Sequence, residues 1–183
     1  YLVRHSAGSG KSNSIGWLAH RLSLLHDATD TKVFDKVIVV TDRRALDTQL
    51  RATVSQFESV PGTIVTVEEG KGSKSEQLAA ALGGKAQIVT VTLETFPYVI
   101  AKLDDVNLSG QRFAVIVDEA HSSQTGDAAT ALKQTLGAKA RDLPADDEEL
   151  DAEAALAAVV AARGHQPNLS FFAFTATPKE RTV

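Results

Sequence analysis

His5-Ser-Ala-Gly-Ser-Gly-Lys-Ser12 is the stretch of sequence that decides the fold. Gly8 and Gly10 can adopt positive φ angles, and without a Cβ they let consecutive backbone N–H groups point at an anion. The free N–H groups of a following helix would add partial positive charge. Lys11 would place its charge on the β- and γ-phosphates, and the Ser12 hydroxyl would ligate Mg²⁺. The stretch therefore predicts a cradle for a polyphosphate.

The residues on both sides supply the strand and the helix that such a loop requires. Residues 1–4 can form a short buried strand, and apolar residues recur at helical spacing after the loop, at Ile15, Leu18, Ala19, Leu22 and Leu25. The complete P-loop pattern is not met, because His5 stands where its first glycine belongs. The core Gly8-Ser9-Gly10-Lys11-Ser12 is intact. The alternative is a flexible Gly/Ser linker with an incidental lysine.

The composition predicts one soluble, cytoplasmic domain. The chain has 183 residues, of which 43% are hydrophobic and 23% charged, with no apolar run long enough to span a membrane. The absence of cysteine excludes disulfides and thiolate metal sites, and the five histidines never pair at ligand spacing, so no zinc site is expected. With no methionine, and with Tyr1 opening directly in a strand, the sequence is expected to be a piece of a longer chain.

The formal net charge of −4 argues against a free-standing nucleic-acid binder. Any contact with DNA must therefore come from a local patch or from a partner lobe. Lysines of the Gly/Ser-rich loops, Lys71, Lys74 and Lys85, could widen such a patch, but lysines in loops of this kind are usually only solvated. Trp17 is expected to pack in the first helix rather than to stack on a base.

Strand patterns alternate with helix patterns along the whole chain. After residues 1–4, strands are predicted at 37–40, 63–67, 87–91, 113–117 and 169–174. Helices are predicted near 15–25, 46–57, 75–82, 92–103, 127–136 and 149–163. Right-handed crossovers would then place every strand-to-helix turn at one edge of the sheet. The sequence predicts a single α/β domain with a mainly parallel sheet flanked by helices.

Acidic residues follow the most apolar of these strands. Asp118 and Glu119 come directly after 113–117, where the carboxyl end of a central strand would present them at the same edge as the phosphate cradle. Such a pair indicates a site, although Asp118 could also be no more than a helix N-cap with its neighbour.

Three ordered motifs carry a resemblance to a known family. Gly8-Ser-Gly-Lys-Ser12, Asp118-Glu-Ala-His121 and Thr175-Ala-Thr-Pro178 resemble motifs I, II and III of superfamily 2 helicases and translocases. Within it, the segments 40–47, 118–126 and 171–178 are similar to the motor subunit of type I restriction endonucleases. Ser122 departs from that pattern, because many members carry arginine there. The resemblance implies a P-loop NTPase fold, with residues 1–183 forming the first RecA-like lobe.

The resemblance also implies roles for individual residues. Lys11, Asp118 and Glu119 would be catalytic: Asp118 would hold Mg²⁺ together with Ser12, and Glu119 would orient the attacking water. Four polar residues would link the state of the bound nucleotide to the path of the DNA strand. They are His121, Gln124, Thr175 and Thr177. His121 could also lie uncoupled on a satisfied polar turn.

Four residues lie where the resemblance places contacts with DNA. They are Thr41, Arg43, Arg44 and Thr92. Short hydroxyl and guanidinium contacts to phosphate position a strand without reading its sequence. For each arginine, a plain surface charge is an equal alternative.

The function implied is that of an ATP-dependent translocase on double-stranded DNA in a type I restriction-modification system. Its partners would be a second RecA-like lobe and a nuclease domain of the same full-length chain, with methylation and specificity subunits. The second lobe would supply an arginine finger, so the isolated segment should be nearly inactive. Two alternatives stay open: a DEAH-type RNA helicase lobe, and a non-catalytic nucleotide switch, which would not need to retain Glu119.

Overall fold

The computed structural model describes residues 1–4, 10–41, 52–56, 60–68, 72–92, 95, 99, 110–118 and 168–175. In these ranges the strands are β1 (Leu2–Arg4), β2 (Lys36–Thr41), β3 (Ile64–Thr66), β4 (Ile88–Thr92), β5 (Phe113–Asp118) and β6 (Leu169–Thr175). Helix α1 is Lys11–Ser23 and helix α2 is Lys74–Gly83, and residues 52–55 are also helical. No helix in this part of the chain is both long and apolar enough to cross a bilayer.

The described strands form one sheet in the order β1-β6-β5-β2-β4-β3, and every pairing is parallel. β2 and β5 are buried along their whole length, because parallel strands at the centre of a sheet are covered on both faces. Their uninterrupted Val and Ile runs are the sequence counterpart of that burial. The predicted α/β fold with a parallel sheet is confirmed.

The two faces of the sheet carry different helices. One core cluster, called here the α1 face, joins α1 to alternate strand residues and includes Ile15, Ala19, Leu22, Val37, Val39, Ala114 and Ile116. The other, the α2 face, includes Leu78, Leu82, Ile38, Val40, Val89 and Val115. α1 and residues 52–55 belong to connections that step toward β3, whereas α2 belongs to one that steps back. Right-handed crossovers put helices of opposite steps on opposite faces.

α1 is seated against the helical residues 52–55 by two contacts. A Cβ added to Gly16 would lie 3.3 Å from Thr53 Cγ2, so glycine allows the close approach of the two segments. His20 Nε2 donates a hydrogen bond to the Val54 carbonyl over 2.9 Å. The first helix is therefore held against the segment that follows β2.

Two expectations about α1 are wrong. The helix ends at Ser23, and Leu25 lies beyond it and is exposed, so the predicted apolar stripe is one residue too long. Trp17 is 58% exposed rather than packed. It lies two residues after buried Ile15, about 200° around the helix, and therefore faces outward. The guanidinium of Arg21 lies 5.6 Å from the centre of its ring.

The boundary predicted between the fourth strand and the next helix is also displaced. The sequence pattern predicts that Thr92 begins a helix, but it is the last residue of β4, since its pairing with Thr41 extends the ladder. The described residues leave out most of the helix expected at 92–103 and all of those at 127–136 and 149–163.

A buried lysine lies at the first residue of β2, at the edge of the sheet where the parallel strands begin. Lys36 is 6% exposed, and its Nζ donates hydrogen bonds to the carbonyls of Gly84 at 2.9 Å and Ala86 at 2.6 Å. Burial lowers the pKa of Lys36, and the positive charge of Lys32 acts in the same direction. The start of β2 is thus tied to the turn between α2 and β4.

This burial makes the stability of the fold depend on pH. The folded chain releases the Lys36 proton at a lower pH than the unfolded chain, whose lysine has a pKa of 10.5. The unfolded state then binds more protons in the window just below pH 10.5, so stability should rise with pH there. The neutral amine keeps two N–H groups for both carbonyls.

Urea unfolding of the wild type and of Lys36→Met, followed from neutral pH toward pH 10.5, measures this effect. We expect the wild type to gain free energy of unfolding relative to the variant as the pH rises. A difference that stays constant over this window would show that the desolvation of Lys36 has no energetic weight.

Candidate functional site

The candidate site begins at the N-terminus of α1, at the carboxyl edge of the sheet. Gly10 is the N-cap, with φ +85° and ψ +28°, a left-handed conformation that favours glycine. In the described part of the chain, no atom lies within 4 Å of a Cβ built on Gly10. The glycine is therefore required by its backbone conformation rather than by crowding from these residues.

The N-terminus of α1 suits a negatively charged ligand. Among the described residues no side chain caps it by a hydrogen bond, and no acidic residue lies in its first turn. The partial positive charge of its N–H groups is therefore not offset by its own helix. Ser12 lies in this first turn and is half-buried.

An ion pair joins this helix end to the centre of the sheet. Lys11 Nζ lies 3.1 Å from Asp118 Oδ1. Asp118 is the last residue of β5 and is only 5% exposed, and its backbone is held in register opposite Phe174 of β6. A buried carboxylate needs a compensating charge, and Lys11 supplies it here. The structure thus brings together the two charged residues on which the sequence prediction depends.

These residues fit a magnesium nucleotide by their chemistry. Mg²⁺ prefers a few oxygen ligands from the protein and completes its shell with water and phosphate oxygens. The Ser12 hydroxyl and the Asp118 carboxylate would be such ligands, beside a helix N-terminus suited to phosphate. In the ranges that the structure describes, no three His, Cys, Asp or Glu side chains come together as a metal-binding group.

β6 is the strand that lies between the two strands leading to the candidate site. It lies between β1 and β5 in the sheet, paired to β1 through Arg4 opposite Thr175 and to β5 through Phe174 opposite Asp118. The strand leading to Thr175 thus separates the strand that precedes the phosphate loop from the strand that carries Asp118. Thr175 ends β6 at the same edge of the sheet.

The two threonines predicted to contact DNA end β2 and β4. Thr41 is 1% exposed, so its side chain offers almost no surface to a phosphate, and this burial does not favour a direct contact. Thr92 is half-buried, and its Oγ1 lies 3.1 Å from Oγ1 of Thr95. The sequence analysis did not predict a role for Thr95, which is buried. Its position three residues after Thr92 was the only sign in the sequence that the two side chains could meet.

The remaining predicted site residues lie outside the described ranges. They are Gly8, Ser9, Arg43, Arg44, Glu119, His121, Gln124 and Thr177. Two of them are neighbours in the chain of described site residues, since Glu119 directly follows Asp118 and Ser9 directly precedes Gly10. Their roles stay predictions.

A parallel α/β sheet with a glycine-capped helix N-terminus, and with a lysine facing a strand-end aspartate, defines a P-loop nucleotide-binding domain. The model of the SWI2/SNF2 ATPase family matches residues 2–141. The chain belongs to this family of ATPases. This membership confirms the predicted resemblance to a superfamily 2 motor lobe.

Two individual proteins are similar to the chain. It is 30% identical over 127 residues to a protein of Mycoplasma pneumoniae described as the C-terminal part of a putative type I restriction enzyme MpnIIP endonuclease subunit. That match covers 68% of the chain and 57% of the relative, so the chain spans little more than half of that protein. The crystal structure of a hypothetical ATP-dependent RNA helicase from Sulfolobus tokodaii is also similar, with 18% sequence identity and a TM-score of 0.48. This match covers 98% of the chain and 42% of the helicase chain.

The ion pair predicts non-additive stability effects. Lys11→Met leaves Asp118 buried without its compensating charge and should lower the free energy of unfolding by about 3 kcal/mol. Adding Asp118→Asn to that variant removes the uncompensated charge and should restore most of the loss. Denaturant unfolding without nucleotide or Mg²⁺ measures the cycle.

Lys85→Met is the matched control, because Lys85 is an exposed lysine beyond the end of α2. It should change stability by less than about 0.5 kcal/mol. If the Lys11 and Asp118 variants were strictly additive, the two side chains would not be energetically coupled.

Proposed function

We propose that this chain is the first RecA-like lobe of an ATP-dependent translocase on double-stranded DNA, of the type I restriction kind. The observation that carries the proposal is the Lys11–Asp118 pair at the N-terminus of α1. ATP hydrolysis requires a cation at the phosphates beside a carboxylate for the metal ion, and these are the roles proposed for Lys11 and Asp118. Membership of the SWI2/SNF2 ATPase family supports the same chemistry.

The residues of the proposed site have different roles in binding and hydrolysing the nucleotide. Lys11 and the N–H groups of α1 bind the β- and γ-phosphates, and Gly8, Ser9 and Gly10 form the turn before them. Ser12 and Asp118 would hold Mg²⁺, which when bound neutralises charge developing on the phosphates. Glu119, next in the chain after Asp118, is proposed to orient the attacking water and accept its proton.

Coupling to DNA is proposed for residues that follow the strand ends. Thr175 ends the strand that lies between β1 and β5, and Thr177, His121 and Gln124 come shortly after β6 and β5 in sequence. Such residues can respond to the nucleotide because they follow strands that touch its site. Arg43 and Arg44, two and three residues after the end of β2, together with Thr92 are proposed to meet the DNA backbone.

The full-length protein is proposed to contain more than this lobe. A second RecA-like lobe would supply the arginine that completes catalysis, and a nuclease domain and methylation and specificity subunits would complete a restriction complex. The similarity to a relative described as part of a type I restriction enzyme endonuclease subunit supports this assignment. The lobe alone is expected to bind Mg·ATP weakly and to turn it over negligibly.

Glu119→Gln tests the proposed hydrolysis in the full-length protein. Removing the acid while keeping its size should lower ATP turnover stimulated by duplex DNA by about 10²-fold or more, because proton transfer from water is lost. ATP affinity should stay within a factor of about two. Glu76→Gln is the matched control, since Glu76 is exposed on α2 on the other face of the sheet, and it should leave turnover unchanged.

The choice of nucleic acid in this assay separates the alternatives. Stimulation by duplex DNA supports the translocase, whereas stimulation by RNA alone would favour an RNA helicase. ATP binding with no hydrolysis under either condition would favour a nucleotide switch. Unchanged DNA-dependent hydrolysis in Glu119→Gln would contradict the proposed mechanism.

The proposed DNA contacts predict a change in salt dependence. Replacing Arg43 and Arg44 together by Gln removes two phosphate-neutralising charges, so the slope of log affinity against log salt for duplex DNA should fall in magnitude by about 1.8. Filter binding or fluorescence anisotropy at several salt concentrations measures the slope. Arg21→Gln, a change of one exposed arginine on α1, serves as the charge control. An unchanged slope in the double variant would leave both arginines as plain surface charges.

A further inference from the structure

The helix that begins at the candidate nucleotide site also contacts a second segment of the chain. α1 starts at Lys11, and Gly16 and His20 lie about 7.5 Å and 13.5 Å further along its axis, at a rise of about 1.5 Å per residue. Both residues lie against residues 52–55. Since backbone hydrogen bonds join the successive turns of an α-helix, a shift of the end that carries Lys11 moves both contact points with it.

The contact between α1 and residues 52–55 is buried and close-packed. Val54 is fully buried in the core cluster of the α1 face, and Thr53 is almost wholly buried beside it. A Cβ added to Gly16 would lie 3.3 Å from Thr53 Cγ2 and 3.7 Å from the Thr53 carbonyl oxygen. Because protein interiors contain few voids, a displacement of α1 is transmitted to the segment packed against it.

His20 adds a directional link to this contact. Its Nε2 donates a hydrogen bond to the carbonyl of Val54, which is 34 residues away in sequence. Helical geometry is described up to residue 55, so this carbonyl lies in the last turn of the described run. Carbonyls in a last turn accept hydrogen bonds from donors outside the helix, and histidine is a suitable donor there. The position of His20 on α1 therefore constrains the end of this segment.

Residues 52–55 also end the connection that contains the two arginines proposed to meet DNA. Arg43 and Arg44 lie in sequence between Thr41, the last residue of β2, and residue 52. The Thr41 end is fixed, because β2 is paired with β4 on one side and with β5 on the other. The other end is held by side-chain and packing contacts with α1, which shift more readily than a strand that is paired on both sides.

We propose that Gly16 and His20 are positioning residues that couple Mg·ATP binding at the start of α1 to the binding of duplex DNA by Arg43 and Arg44. This coupling rests on the proposed motor function and lies within one lobe, so it does not require closure against a second lobe. Coupling between two ligands is reciprocal: the factor by which Mg·ATP changes the affinity for DNA equals the factor by which DNA changes the affinity for Mg·ATP.

Binding linkage in the full-length protein measures this coupling without relying on turnover. Fluorescence anisotropy gives the affinity for duplex DNA with and without a non-hydrolysable Mg·ATP analogue, and the ratio of the two affinities is the coupling factor. His20→Leu removes the donor, and we expect the coupling factor to move toward one by about fivefold, as for one lost hydrogen bond. The affinity for the analogue alone should stay within about twofold, because no residue of the phosphate site is changed. His20→Gln keeps an N–H donor and should retain the wild-type factor.

Gly16→Ala tests the close approach independently of the hydrogen bond. The added Cβ meets Thr53 Cγ2, so the two segments must separate by a few tenths of an ångström. The coupling factor should again move toward one, by at least about twofold. Adding Thr53→Ser removes the opposing methyl group and should restore the factor. A purely structural loss would not be reversed by removing a second buried group.

Two matched controls lie away from this contact. His26→Leu also removes a hydrogen bond from a histidine to a backbone carbonyl, here from Nδ1 to Leu24 in the exposed segment after α1. Gly83→Ala adds a Cβ at the end of α2, where it meets no described atom within 4 Å. Neither substitution should change the coupling factor.

The outcomes separate this coupling from the proposed function. An unchanged factor in both His20→Leu and Gly16→Ala would overturn the coupling through α1, as would an equal loss in His26→Leu. If His20→Leu does not fold, Gly16→Ala with and without Thr53→Ser decides the same question. A wild type that binds both ligands with a coupling factor of one overturns this inference alone. A wild type that fails to bind either ligand contradicts the proposed function.

Discussion

All described strands run in the same direction, and the position of the site depends on this constraint. In a parallel sheet every strand ends at the same edge, so residues far apart in sequence meet there if each follows a strand. Lys11 and Asp118 meet in this way. The apolar runs of β2 and β5 make this possible, because only strands buried on both faces can occupy the centre of such a sheet.

The same constraint sets which helix can act on the site. The step from β1 to β2 crosses two strands in one direction, and right-handed crossover puts α1 on the face from which Asp118 is approached. Gly16 and His20 then hold α1 against residues 52–55. The helix that carries Lys11, the lysine proposed to bind phosphate, is therefore packed directly against residues 52–55, which follow β2 in the chain.

Much of this arrangement can be predicted because it depends on local patterns. The strand at 113–117 is evident from its unbroken apolar residues, and Gly10 from a motif whose geometry requires positive φ. The predictions that are wrong concern boundaries and faces. The sequence predicts that Trp17 packs, but α1 turns it outward, and that Thr92 starts a helix, but its pairing with Thr41 extends β4. The residue type decides neither of these outcomes. The rotation of a helix depends on the segment against which it packs, and the length of a strand depends on the strand with which it pairs.

The sequence by itself determined the α/β class, the glycine turn at Gly10 and the identity of the charged residues, because spacing and residue type suffice for these. Only the tertiary structure decided that Lys11 lies 3.1 Å from Asp118, that β6 separates β1 from β5, and that Thr41 is buried beside the site. Those facts depend on strand order and register. Strand order and register arise from packing between segments far apart in the chain, and no local pattern encodes them.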